Sequence, residues 1–409
     1  MKTKVISFLG TSVKLTKYSY KEQVYEGSLF QIALRQFMDF DEMLVFVTKE
    51  ARKIAYPALE ELNDPRIKPV DIRTGRTSEG LWQIFSTVVK SVNEGDAVIF
   101  DITHGLRSIP FLTFLVAAYL RSAKNITIKA VLYGAFDLGQ GGPAPVIDLS
   151  EFVSLLDWLT ATNEFVKNGN AAALAEQLSK TNDSMLLPLA GTVEEIATGL
   201  HLLRPKETSI AAMALPEHLN LAREKLPPPF TLLADSVLAS YGRFGKAGVL
   251  EPKDQLRYQL EMINWYYQRG QLVHALSLAR EWVVSFLCVY FGLDMENRDD
   301  RNEMEFLVGG GKLKDRETGR IIRESGYLSQ WPAVPQAKRL RKLWVKGAGY
   351  ELAELRNDVL HSGFRKDAKT AAEIMADADK VLGELQSIAR ELGVNFQSST
   401  QSQNLEVSR

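Results

Sequence analysis

The 409-residue chain contains one cysteine, Cys288, which lies in the apolar stretch WVVSFLCVYF. A single cysteine excludes an internal disulfide framework, and a thiol in such surroundings is typical of a reducing compartment. No uninterrupted apolar run reaches the roughly 18 residues that a membrane span needs, and the apolar stretch in MKTKVISFLG is too short for a signal peptide. We therefore expect a cytoplasmic protein that does not enter a membrane.

The chain also lacks a charge excess, because 49 Lys and Arg residues are balanced by 50 Asp and Glu residues. A nucleic-acid site must then be a local patch. FLGTSV supplies one glycine where a dinucleotide-binding loop needs three, and no GxxxxGK[ST] motif occurs. His201, His218 and His274 are not spaced as metal ligands. These absences argue against a nicotinamide enzyme, an ATP enzyme and a metal site.

Residues 1–150 alternate between short apolar runs and amphipathic segments, which is typical of βαβ units. The predicted strands are 4–9, 43–48, 67–72, 97–102 and 126–133. Helices are predicted between them, and APVID (144–148) could add an edge strand. The expected fold class is a Rossmann-like α/β domain whose parallel sheet is covered by helices on both faces.

After residue 149 the helical period dominates, which predicts an all-α region. Single helices are predicted over 222–238, with a break at the PPP run (227–229), and over 338–361. The predicted boundaries are an α/β domain at 1–168, a helical linker region at 169–250 and a helical domain at 251–395. The polar stretch 396–409 has the composition of a disordered tail.

Small and polar residues follow three of the predicted strands, at the sheet edge where open parallel sheets bind ligands. They are Gly10, Thr11 and Ser12 after the first strand, Thr103, His104, Gly105 and Arg107 after the fourth, and Tyr133 and Gly134 at the end of the fifth. Ser108 and Pro110 open a helix whose free N–H groups suit phosphate, and Arg107 could bind the same anion. The alternative, weighed equally, is that Asp101 and Thr103 only cap this helix and that Arg107 is solvated.

The motif RNDVLH runs from Arg356 to His361, and Gly363 behind it suits a helix C-cap. In the last helical turn the dipole favours the charged form of His361, which suits a general acid or base. Arg356 could stabilise the charge that builds on a phosphodiester, with the 2′-hydroxyl of RNA as nucleophile and no metal. The alternative is that both side chains are solvated, since short motifs often match by chance.

The spacing of this motif predicts a homodimer. Arg356 and His361 are five residues apart and point about 140° away from each other around a helix, whereas Asn357 and His361 share a face. One copy converges poorly on a phosphate, and two copies across a symmetric dimer would converge better.

A basic segment precedes the motif, since 309–347 holds ten Lys or Arg residues against three acidic ones. Tyr327, Trp331 and Trp344 are interleaved with them. Exposed cations and aromatics suit single-stranded RNA, whereas the alternative is a solvated surface with the tryptophans in the core. The predicted RNA-binding residues are Lys338, Arg339, Arg341, Lys342 and Trp344.

With DITHGLRSIP after its fourth strand and RNDVLH near its end, the chain resembles the CRISPR-associated CARF–HEPN ribonucleases along nearly its whole length. The resemblance implies that 1–168 is a CARF domain, which binds a cyclic oligoadenylate messenger made by the activated type III complex. It implies that 251–395 is a HEPN domain, which cleaves single-stranded RNA without a metal once the messenger has bound across the dimer.

Carried over by position, the resemblance assigns roles to individual residues. The ligand loops match at Gly10, Thr11, Ser12, Thr103, His104, Gly105 and Arg107. Arg356 and His361 match the catalytic pair, and Asn357 is the polar residue after the arginine.

The predicted function is therefore a cyclic-oligoadenylate-activated, metal-independent endoribonuclease of antiviral defence. It would work as a homodimer or higher even oligomer, on single-stranded RNA, with no metal or other cofactor. The alternative is a non-catalytic ligand-sensing regulator whose helical domain binds a nucleic acid or a protein.

Overall fold

The computed structural model describes residues 2–104, 108–139, 141–181, 183–226, 230–245, 251–345, 347, 351–364, 366 and 368–394. The chain forms two compact units, Met1–Thr160 and Ala161–Arg409. The finer domain boundaries expected from the sequence stay predictions, and the expected tail at 396–409 lies outside the described residues.

The first unit contains an eight-stranded sheet of order β3-β2-β8-β7-β6-β1-β4-β5. Its strands are β1 (Thr3–Leu9), β2 (Thr16–Tyr20), β3 (Gln23–Gly27), β4 (Glu42–Val47), β5 (Ile67–Asp71), β6 (Ala97–Asp101), β7 (Thr127–Gly134) and β8 (Ala144–Asp148). The five strands from β7 to β5 run parallel, while β8 is antiparallel to β7 and β3 is antiparallel to β2. The expected α/β fold class is confirmed.

Helices cover both faces of the sheet. They are α1 (Phe30–Phe37), α2 (Lys49–Ile54), α3 (Pro57–Glu60), α4 (Ser78–Ser91), α5 (Ser108–Lys124) and α6 (Ser150–Asn168), of which α6 runs past the boundary of the unit. Strand β1 alternates between the two cores, because Val5 packs in the cluster of Phe30 and Ile6 in that of Ile84. Burial on both faces explains its continuous apolar run.

The hairpin of β2 and β3 was not expected from the sequence, and it changes the place of β8. The segment APVID is not an edge strand, because β8 pairs with β7 on one side and with β2 on the other. Strands β2 and β3 have no continuous apolar run, and in TKYSY only the two tyrosines are buried. Alternation of buried and exposed residues over only five positions is a weak signal, so the hairpin was not predicted.

The second unit is helical, as expected, apart from one small hairpin. Its helices are α7 (Ala172–Lys180), α8 (Leu187–His201), α9 (Pro205–Ala222), α10 (Phe230–Tyr241), α11 (Pro252–Gln268), α12 (Leu272–Phe291), α13 (Arg298–Val308), α14 (Ala337–Trp344), α15 (Leu352–Leu360) and α16 (Ala371–Glu391). The hairpin pairs β9 (Lys312–Lys314) with β10 (Ile321–Glu324).

Helix α12 is long and apolar enough to cross a membrane, but 61% of its most apolar window is buried within the protein, as in a core helix.

The predicted helical segments 222–238 and 338–361 do not form single helices in the structure. Helix α9 already ends at Ala222 and α10 begins at Phe230, whereas the predicted break, 227–229, lies outside the described residues. Helix α14 is separated from α15 because Gly347 (φ 74°) and Glu351 (φ 57°) are left-handed and cannot continue a right-handed helix. RNDVLH therefore lies on a short helix of its own.

Candidate functional site

A crevice of about 560 Å³ opens at the carboxyl ends of the parallel strands. Strands β4 and β5 extend the sheet on one side of β1, while β6 and β7 extend it on the other. The strand order therefore switches between β1 and β6, and the loops that follow these strands diverge. The predicted residues that line the crevice are Gly10, Thr11, Ser12, Thr103 and His104. Gly105 and Arg107 lie outside the described residues.

Tyr133 and Gly134, predicted to bind the ligand, do not line this crevice. Gly134 is buried, and its N–H donates to Thr103 Oγ1 at 2.8 Å. A Cβ at this position would lie 2.9 Å from both Phe30 and Tyr18, so only glycine fits without a shift. The role of Gly134 is therefore to let the strand pack closely and to orient Thr103.

A fully buried carboxylate, Asp101, anchors the loop after β6. One of its oxygens accepts the Thr103 N–H at 2.9 Å, and the other accepts the Ser7 hydroxyl at 2.6 Å. Ser7 Oγ accepts in turn from Gln31 Nε2 at 2.7 Å, which ties the network to α1. The floor of the crevice is thus fixed by hydrogen bonds between three elements, β1, β6 and α1.

His104 is held beside Asp101 as a neutral acceptor. Its Nε2 accepts the N–H of Phe30, the first residue of α1, at 3.3 Å, which requires an unprotonated nitrogen. Burial lowers the pKa of His104, and the nearby Asp101 opposes this only in part. Burial also raises the pKa of Asp101, although the hydrogen bonds from Ser7 and Thr103 counteract it. His104 therefore offers a ligand an Nδ1–H donor rather than a cation.

The positive charges described around the crevice come from a loop that was not predicted to bind a ligand. Arg73 and Arg76, in the segment RTGR between β5 and α4, line the crevice together with Thr48 and Glu50. Hydrogen bonds from its own N–H and from Thr48, and then the charge of Arg76, lower the pKa of Glu50. The signal was available, because β5 was predicted and its loop must reach the same edge of the sheet.

In the second unit, the RNDVLH motif holds its arginine in place. Arg356 Nη1 donates to Asn357 Oδ1 at 2.9 Å, while Arg356 Nε is buried without a hydrogen-bond partner among the described residues. His361 is exposed at the C-cap of α15, where its N–H donates to Asn357 O at 2.9 Å. The Asn357 side chain therefore orients Arg356, and not His361 as the shared face had suggested.

Asp358, inside the same motif, was not expected to have a role. Its side chain is only 5% exposed and accepts the Lys369 N–H at 3.1 Å. Ser362 (φ 55°) and Gly363 (φ 72°) turn the chain just before this contact. Asp358 thus anchors the segment that returns from His361 toward α16.

The predicted RNA-binding helix, α14, uses most of its predicted residues for internal contacts. Arg339 binds Glu384 at 2.7 Å, Glu391 at 2.6 Å and Ser387 at 2.9 Å, all on α16. Trp344 is only 6% exposed, and the guanidinium of Arg280 lies 5.3 Å from the centroid of its ring.

Arg341 is also held within the unit. Its guanidinium stacks on Trp331, 4.5 Å from the ring centroid, and donates to Leu307 O at 3.1 Å. The expectation of base stacking on Trp331 and Trp344 is wrong here, since both rings are buried. Lys338 and Lys342 remain exposed on α14.

The first unit is an open, mostly parallel sheet with a polar crevice at its switch point, and the second unit is helical. The chain is therefore of the class that combines an α/β unit, with a crevice suited to a ligand at its sheet edge, and a helical unit. Residues 154–247 match the family described as "CRISPR-associated protein MJ1674, second domain". The CRISPR-associated protein MJ1674 of Methanocaldococcus jannaschii is 30% identical over 137 residues. This match covers 32% of the chain and 22% of that relative, so the chain spans about a fifth of the relative's length.

Among solved structures, Enterococcus italicus Csm6 bound to cyclic hexa-2′-fluoro-hexa-dAMP aligns with 96% of this chain and 95% of that one. Its identity is 11% and its TM-score is 0.39, a likeness too low to support a conclusion on ligand or activity. The family match and the curated relative thus make the chain similar to CRISPR-associated proteins over part of its length. Its α/β unit precedes its helical unit, which is the domain order that its motifs had indicated.

Proposed function

We propose that this chain is an accessory effector of type III CRISPR defence, which a cyclic oligoadenylate activates to cleave single-stranded RNA. The observation that carries the proposal is the crevice of about 560 Å³ at the switch point of the sheet. Its volume lies within the range of about 300–1,000 Å³ that is usual for small-molecule sites. We expect the protein to act in the cytoplasm, where such a messenger would be made.

The chemistry of the crevice suits a polyanionic nucleotide. Arg73 and Arg76 supply guanidinium groups, which bind phosphate through charge-assisted hydrogen bonds. Thr11, Ser12 and His104 supply neutral donors nearer the switch point. A ligand held by both groups would touch loops from β1, β5 and β6 at once, and so could change their relative positions.

The proposed nuclease site is RNDVLH, present twice in a homodimer. As general base, His361 would accept the proton of the RNA 2′-hydroxyl, whose oxygen attacks the phosphorus while the 5′-oxygen leaves. The products are a 2′,3′-cyclic phosphate and a 5′-hydroxyl, so no water and no metal enter this step. Arg356, oriented by Asn357, would stabilise the charge on the phosphoryl oxygens. The partner copy would supply the acid that donates the proton taken up by the leaving 5′-oxygen.

The decisive experiment measures cleavage of labelled single-stranded RNA by the purified full chain in EDTA, with cyclic oligoadenylates of several ring sizes. We expect one ring size to raise the rate strongly, with cyclic-phosphate ends on the products. A matching DNA strand, which lacks the 2′-hydroxyl, should stay intact. Tight messenger binding without RNA cleavage under any condition would contradict the proposal and favour the non-catalytic regulator.

A further inference from the structure

The hairpin of β9 and β10, here called the ribbon (312–324), protrudes from the helical unit with every strand residue exposed. Its strands are three and four residues long, and their register is irregular between Ile321 and Arg323. An isolated hairpin of this size is only marginally stable in water. Its order must therefore come from its attachment to the rest of the unit.

The base of the ribbon is tied to α13 by the carboxylate of Glu303 and by Arg323, whose guanidinium lies 4.3 Å from the ring centroid of Phe306. Glu303 accepts the Ser325 hydroxyl at 2.6 Å, the Gly326 N–H at 3.2 Å and the Arg323 guanidinium at 2.8 Å. Burial raises the pKa of Glu303, but these three hydrogen bonds outweigh it, so the pKa is lowered and the carboxylate stays charged. The ribbon is thus fixed at its base and open at its tip.

The tip carries three unpaired cations of the basic segment. At the base, Lys312 pairs with Glu324 and Arg323 with Glu303. Asp315 stabilises the turn between the two strands, because its carboxylate accepts hydrogen bonds from the N–H groups of Glu317 and Thr318. Within the described part of the chain, three cationic side chains of the ribbon have no hydrogen bond or ion pair. They are Lys314, Arg316 and Arg320, and all three are exposed.

Exposed apolar side chains accompany these cations. Leu313 is 51% exposed and Ile322 is 63% exposed, on strands whose outer edges carry no further strand. A nucleic acid strand offers such a surface phosphates for its cations and base or sugar faces for its apolar side chains. On α14, by contrast, Arg339, Arg341 and Trp344 are already engaged within the unit.

We propose that the ribbon is an RNA-binding arm, which holds single-stranded RNA through Lys314, Arg316 and Arg320. This inference rests on the proposed function only for the choice of RNA as the polyanion. It moves the main RNA contact from α14, where the basic sequence had suggested it, to the tip of the ribbon.

The test measures binding of a fluorescein-labelled single-stranded RNA by fluorescence anisotropy, with the His361→Ala chain in EDTA so that no cleavage interferes. The triple variant Lys314→Ala/Arg316→Ala/Arg320→Ala in this background should bind about tenfold more weakly at low salt. Its salt dependence should also flatten, with the slope of log K against log salt falling by about 2, because each phosphate contact contributes roughly 0.7.

The control removes three exposed cations from other helices and loops of the unit, through Arg204→Ala/Lys225→Ala/Lys253→Ala, and should change neither quantity. Binding is measured with and without the cyclic oligoadenylates, and ribbon-dependent binding in either condition supports the arm, even if the wild-type chain cleaves nothing. Wild-type affinity in the ribbon variant, or a loss seen only with Lys338→Ala/Lys342→Ala, would overturn it, even if cleavage is observed. A ribbon variant that changes the oligomeric state and not RNA affinity would equally overturn it, in favour of a contact between protein chains.

Discussion

The two candidate sites of this chain are assembled in opposite ways. The crevice of the sheet collects residues that are far apart in the sequence, from Thr11 after β1 to His104 after β6. The RNDVLH site holds Arg356, Asn357 and His361 within six residues, on and just after the nine-residue helix α15. In the first site a buried hydrogen-bond network that includes Asp101 and Ser7 holds the loop after β6, whereas the second has an exposed histidine and a partly unsatisfied arginine.

This difference follows from how each fold orders its side chains. Parallel strands bring all their carboxyl ends to one edge, so a single chain can build a convergent site there. Around one helix, residues five apart diverge by about 140°, so a single copy of α15 cannot surround a phosphate. The sheet therefore brings its ligand-facing loops together within one protomer, whereas the helical site should need a second copy to bring its side chains together.

The largest expected effect is on the helical site. Replacing His361 by alanine should lower the cleavage rate at saturating messenger by about 100- to 10,000-fold, the usual contribution of a general acid or base. Messenger affinity, measured by calorimetry, should not change, because His361 lies in the other compact unit.

His201→Ala is the matched control for this variant, since His201 is an exposed histidine at the end of α8 in the same unit. It should cleave at the wild-type rate. Cleavage at the wild-type rate by the His361→Ala chain would mean that RNDVLH takes no part in cleavage. Of the two candidate sites, the crevice would then remain.

A smaller effect is expected in the crevice. The double variant Arg73→Ala/Arg76→Ala should raise the messenger concentration for half-maximal cleavage about tenfold or more, because each guanidinium can make charge-assisted hydrogen bonds to phosphate. The cleavage rate at saturating messenger should stay the same. Titration of the messenger against RNA cleavage measures both quantities.

Lys17→Ala/Lys53→Ala removes two exposed cations of the same unit that do not line the crevice, and it should leave the titration unchanged. If the two double variants behave alike, the arginines act only through net charge. If Arg73→Ala/Arg76→Ala lowers the rate at saturation, the loop after β5 takes part in activation as well as in binding.

The sequence predicted the parallel part of the sheet because its inner strands β1, β4 and β6 are apolar runs that are almost entirely buried. It predicted the loops after β1 and β6, but Arg73 and Arg76 were missed, although β5 was predicted and its loop lies at the same edge of the sheet. The helical unit was harder. Basic residues such as Arg339 look solvated until α16 supplies Glu384 and Glu391, and this pairing across 45 and 52 residues has no local signal.

The smallest expected effect concerns the polar floor of the crevice and its response to acid. The pKa of His104 is lowered from 6.5 in the folded chain, so below that pH the unfolded chain binds a proton that the folded chain resists. The unfolded state is then favoured as pH falls, and this contribution to stability is present above the unfolded pKa and lost below it. Asp101 has the opposite sign, because its raised pKa makes the folded chain the better proton acceptor.

The variant His104→Gln separates the two residues, since glutamine can still accept the Phe30 N–H but cannot titrate, while Asp101 remains. As the pH falls below about 6.5, the wild-type sheet should lose more stability than this variant, because only the wild-type chain gains a proton at residue 104 on unfolding. Hydrogen exchange of the β1 and β6 amides, corrected for the intrinsic rates, measures this opening free energy for the sheet alone. Parallel pH curves for the two chains would mean that His104 titrates normally in the folded state and is not held as a neutral acceptor.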